Sequence, residues 1–206
     1  MQTSDGNRDA LFPLGEANAL VLKANTRQAQ CRLEISQIQR TIDSLGVELR
    51  NMRDQFLLPA LRTETTYLLD DDAVQHSLHR AELRLNGLAS WFADAETTNQ
   101  FLQQSTTEIL GKYQGIAELV SKAITMLPTE SVIPFAELGI HCANAAQESR
   151  ALLSLITAQK QDLLATAELV AAVLAAITAI REGDVPRSAV VEMLNHLGRG
   201  ERRRSQ

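Results

Sequence analysis

CRLEISQIQRTIDSLGVELRNMRDQF, residues 31–56, carries a strict helical periodicity. Cys31, Ile35, Ile38, Ile42, Leu45, Leu49, Met52 and Phe56 follow one another at alternating steps of four and three. An α-helix turns once in about 3.6 residues, so residues at that spacing line one face as a heptad stripe. Counted backward, the same stripe takes in Gln28, Ala24, Val21 and Ala17. Pro59 has no backbone N–H to give and stops the helix.

The alternation resumes after the segment 63–72 and runs unbroken from Val74 through Leu85, Phe92, Asn99, Thr106, Tyr113 and Val120 to Leu127. Asp70, Asp71 and Asp72 stand where a helix amino terminus favours negative charge and a capping oxygen. Pro128 ends this second helix. A third stripe runs from Phe135 through Cys142, Ser149, Ile156, Leu163 and Val170 to Ile180. Gly183 and Pro186 close it as a cap and a stop. Ser188 to Leu197 is a short amphipathic piece with Val190, Val191, Leu194 and Leu197 on one side.

These stripes predict an all-α chain: an elongated antiparallel three-helix coiled-coil bundle with a short C-terminal helix. The expected helices cover about 15–58, 73–127 and 133–182. Residues 1–14 form an N-terminal arm, and 183–206 hold the short helix and a basic tail. Short connections make neighbouring helices antiparallel. Composition agrees, with 4% aromatic residues against 45% hydrophobic ones, thin for strands that favour aromatic side chains.

Charge narrows the partners. The formal net charge is −5, so the chain is no general polyanion binder. Residues 85–149 hold seven acids and two lysines, whereas the tail RGERRRSQ, residues 199–206, holds four arginines and one glutamate. That tail has no interleaved aromatics and is read as solvated, so nucleic acid is not an expected partner. Two cysteines make no disulfide framework, and a cytoplasmic location is expected. The first residues, MQTSDGNRDALF, lack a basic start followed by an apolar run, so no signal peptide is read there. Folding back at Pro59 and Pro128 puts Cys31 and Cys142 about 24 Å apart at 1.5 Å rise per residue, beyond disulfide reach.

Chemistry-bearing motifs are few. Asp72, His76 and His79 share a helix start but fall on the outward face of the heptad. His141 and Cys142 are neighbours in sequence, yet adjacent helical residues point about 100° apart. Gly111 and Gly115 make a G-x-x-x-G spacing that suits a close helix crossing. No phosphate loop, nucleophile elbow or C-x-x-C occurs. No catalytic residue, metal ligand or cofactor is therefore expected.

Two features bear on function. Gln28, Asn99 and Gln159 occupy seam positions that their neighbours fill with apolar groups, and fold-back arithmetic places them within about one heptad of each other. They are either splayed into solvent or a buried amide layer that fixes register. LLATAELVAAVLAAITAI, residues 163–180, has one charge in eighteen residues and is apolar on nearly every side. Such a helix is buried on more than one face. Its second face, around Ala167, Ala171, Leu174 and Ala175, would meet another protein chain, unless the short C-terminal helix covers it. The expected function is a non-enzymatic coiled-coil structural or adaptor subunit of a larger intracellular assembly, homo- or hetero-oligomeric, with a membrane partner allowed but not favoured. Three long antiparallel helices also resemble membrane-curving dimers of the BAR type, though that resemblance implies a basic stripe which the acidic middle of the chain opposes. A pore or translocator component that inserts 163–180 is the third alternative.

Overall fold

The computed structural model describes residues 5–58, 72–126, 132–182, 188–192 and 194–195, and these residues are helical throughout. Three long helices dominate: α1 (Asp5–Asn51), α2 (Asp72–Met126) and α3 (Val132–Glu182). A π-helical stretch, Met52–Leu57, prolongs α1. The expected turns at Pro59 and Pro128, the stop at Gly183 and Pro186, and the basic tail lie outside the described residues.

Two boundaries differ from the sequence reading. The supposed arm is helical from Asp5, because Ala10, Leu11 and Leu14 extend the helix-favouring composition and Pro13 removes one donor without ending the helix. At the other end of α1, the 4-3 count expects Met52 to point inward. Instead Arg53, Leu57 and Leu58 are the buried residues and Met52 is half-buried. A π-helix holds more residues per turn, which shifts the inward stripe by one position.

The chain divides into two compact units, and each long helix contributes to both. The first comprises Met1–Gln37 with Thr98–Gln159, and the second Ile38–Thr97 with Lys160–Gln206. In the first unit the buried residues keep the three- and four-residue spacing: Val21, Ala24, Gln28, Cys31 and Ile35 on α1, for example, and Asn99, Leu102, Thr106, Ile109 and Tyr113 on α2. Hydrogen bonds give the local register. Gln28 pairs with Ser149 and Gln159 with Ile35, so α1 and α3 numbers rise together. Cys31 meets Ser105 and Asn25 meets Tyr113, so α1 and α2 numbers move oppositely. Gly111 and Gly115 are exposed, with open space where a Cβ would stand, so the anticipated close crossing is not there. The tight approach is at Gly139, where a Cβ would meet Val120 Cγ1 at 3.2 Å.

The second unit has an apolar core of its own. Leu49 and Leu57, Leu78 and Leu85, and Val170, Val173 and Ile177 form one cluster. Val190 and Leu194, from the helical turns after α3, belong to it too and are 3% and 0% exposed. A smaller cluster joins Ile42, Ala95 and Leu163, with Trp91 and Phe92 packed beside it at 5.1 Å between ring centroids and 74° between planes. That edge-to-face geometry is the one favoured by aromatic quadrupoles.

Candidate functional site

The three amide residues in the seam are all buried. Asn99 and Gln159 are each 1% exposed and Gln28 is 6%. Asn99 Nδ2 donates to Gln159 Oε1 at 3.1 Å and to the Ile156 carbonyl at 3.3 Å. Gln159 Nε2 in turn donates to the Ile35 carbonyl at 2.7 Å, so one chain of hydrogen bonds ties all three helices. Gln28 stands one heptad away from this pair. It donates to Ser149 Oγ at 3.0 Å and to the Ala145 carbonyl at 3.2 Å. Of the three amides, Asn99 and Gln159 are bonded to each other and Gln28 is bonded to a serine instead.

Ser149, Ser105 and Thr106 are buried polar residues as well, outside the set of amides expected from the sequence. The signal was present, since Ser149 and Thr106 occupy stripe positions. Steps of seven from Ile35, Asn99 and Ile156 reach Gln28, Thr106 and Ser149, a second layer that is polar on every helix. Ser105 accepts Arg27 Nε at 3.0 Å. Asn99 Oδ1 and Thr106 Oγ1 are buried and have no hydrogen-bond partner among the described residues.

The nucleophile candidate separates. Cys142 is fully buried while His141 is exposed. Burial pushes the Cys142 thiol up, opposite to the depression a reactive thiolate needs. Burial also raises Tyr113, with smaller contributions from Cys142 and Glu148, and its hydroxyl donates to Asn25 Oδ1 at 2.5 Å. Cys31 and Cys142 are free cysteines. His141, Asn25, Asn144, Arg32 and Glu148 line a surface groove of about 380 Å³. The Arg32–Glu148 ion pair there, at 2.7 Å, is half-exposed on both sides, so it adds little stability. His76 and His79 are exposed, and His79 Nδ1 lies 3.6 Å from Glu82 Oε2. No group of three or more His, Cys, Asp or Glu able to hold a metal occurs among the described residues.

The apolar run of α3 is covered unevenly. Val173, Ala176 and Ile177 are fully buried, and the turns bearing Val190 and Leu194 share their cluster. Leu174 is half-buried against that cluster, and Ala167 is half-buried too. Ala171 and Ala175 are exposed, and Leu164 is 51% exposed. The C-terminal turns thus reach the same core, yet Leu164, Ala171 and Ala175 of this run still face solvent. Beside them runs a groove of about 230 Å³ between α2 and α3, floored by Phe92, Ala93, Leu163 and Ala167, with Glu96 on one bank and Lys160 on the other.

No family model matches the chain, and no curated protein or solved structure matches it significantly.

Proposed function

We propose that this chain is a non-enzymatic structural or adaptor subunit of a larger intracellular assembly, folded as a three-helix antiparallel coiled coil and acting through helix-on-helix contacts. The observation that carries the reading is the exposed flank of α3. Eighteen residues with a single charge leave Leu164, Ala171 and Ala175 at the surface. Small residues there admit a partner helix to close range, where van der Waals contact is dense. The hydrogen-bonded amides support the same reading, because polar seam residues select register and partner at a cost in stability. Numbers that rise together on α1 and α3 and oppositely on α2, within the first unit, support the antiparallel arrangement.

A photo-crosslinking side chain at position 171 tests it. The expected product is a protein adduct of discrete mass, while a lipid adduct, or none, overturns the reading.

One observation favours a second reading, insertion into a membrane. α3 is long and apolar enough to cross a bilayer by length and composition, and 44% of its most apolar window is buried in the fold. Insertion would have to withdraw Val173, Ala176 and Ile177 from their core. Flotation with liposomes separates the readings: the subunit stays in the soluble fraction and an inserting chain floats.

A further inference from the structure

We infer that the groove between α2 and α3 in the second unit is a self-association site whose occupant is a second copy of this chain. The inference rests on the reading of α3 as a contact surface and names what it contacts. The groove is apolar at its floor and carries opposite charges on its two banks, Glu96 on α2 and Lys160 on α3. Neither charge has an ion-pair or hydrogen-bond partner among the described residues. A foreign partner would have to match both signs separately. A second copy matches both at once.

The register makes that match specific. Within this unit α2 numbers fall as α3 numbers rise: Ala95 shares a cluster with Leu163, and Glu82 is paired with Arg181. Glu96 and Lys160 therefore occupy the same end of the groove, with Ala93 and Leu164 the next step along. Two copies can meet groove to groove about a two-fold axis in either of two ways. With the axis along the helices, α2 of each copy faces α3 of the other. Each Glu96 then faces a Lys160, and each exposed Leu164 faces the small Ala93. With the axis across the groove, α2 would face α2 and α3 would face α3, so no Glu96 would meet a Lys160. Charge selects the first arrangement, and the fit of a large side chain to a small one agrees with it.

Charge reversal on the full-length chain tests this, read by sedimentation equilibrium, with circular dichroism to report the fold. The unmodified chain is expected to dimerise, more weakly as salt rises, because exposed pairs are screened. Glu96→Lys converts two facing pairs from attraction to repulsion and should weaken the dimer at least about tenfold. The double variant Glu96→Lys with Lys160→Glu restores both pairs and should restore the dimer. Glu96→Lys mixed with Lys160→Glu should form a heterodimer that neither forms alone. A chain that stays monomeric, or a dimer indifferent to these changes, overturns the self-association while leaving a different protein partner on α3 in place. A chain that floats with liposomes overturns the contact-surface reading itself, whatever its oligomeric state.

Discussion

Replacing the Asn99–Gln159 pair by leucines should stabilise the fold, and the single replacements should not. Asn99→Leu removes an Oδ1 that has no donor among the described residues, but it strands Gln159 Oε1 in a buried seam. A buried polar atom without a partner costs about 1–3 kcal/mol. The apolar surface that the leucine buries returns about 1.5–3 kcal/mol. These terms nearly cancel, so the single variant should lie within about 1 kcal/mol of the native chain. Gln159→Leu strands an Asn99 N–H in the same way, although Ile156 still accepts the other. The double variant strands no side-chain atom. The Ile35 and Ile156 carbonyls keep their bonds within α1 and α3. It should gain about 2–4 kcal/mol, in line with other buried polar groups exchanged for well-packed apolar ones. At about 2–4 °C per kcal/mol for a chain of this size, the midpoint rises by roughly 5–15 °C. Urea unfolding of all four chains closes the cycle, with an expected coupling of about 2–4 kcal/mol beyond the sum of the singles. Additive values, or a double variant weaker than the native chain, would refute a directly bonded buried pair. A more stable double variant that samples more than one helix register, seen as doubled amide resonances, would identify what the amides are for.

Three further outcomes follow from the same contacts. Leu194→Ala should cost about 2–4 kcal/mol in urea unfolding, because Leu194 is fully buried in the large core; a loss below about 0.5 kcal/mol would mean that the turns after α3 do not pack there. Stability should fall above about pH 9: Cys142 and Tyr113 are held above their ordinary values in the folded chain, so stability is lost as the same groups ionise first in the unfolded chain. Cys142→Ala with Tyr113→Phe should flatten that alkaline slope, and an unchanged slope would refute the assignment. Breaking the half-exposed Arg32–Glu148 pair by Arg32→Gln should shift the urea midpoint by the equivalent of less than about 1 kcal/mol, and a larger loss would show that the pair holds the helices in register.

The helices were legible because burial here is written as a count of fours and threes. Leu102, Ile109, Ile116, Leu152 and Ile156 sit where that count puts them and are buried. The count failed where its premise of 3.6 residues per turn failed, in the π-helical stretch after Asn51, and no residue type in MRDQFL announces that insertion. The amides were legible as exceptions to the stripe, but not as a pairing. Length along a helix places Gln28 within a heptad of Asn99, and a shift of ten residues along α3 decides between Gln159 and Ser149 as its partner. The groove was not legible at all. Glu96 and Lys160 are ordinary outward residues by period, sixty-four positions apart in sequence, and they acquire meaning only when α2 and α3 run in opposite directions beside each other. Helix period reports what each helix hides from water. Which charges come to share a surface is decided by how neighbouring helices are set against each other, so the proposed contact site follows from the packing and not from any motif.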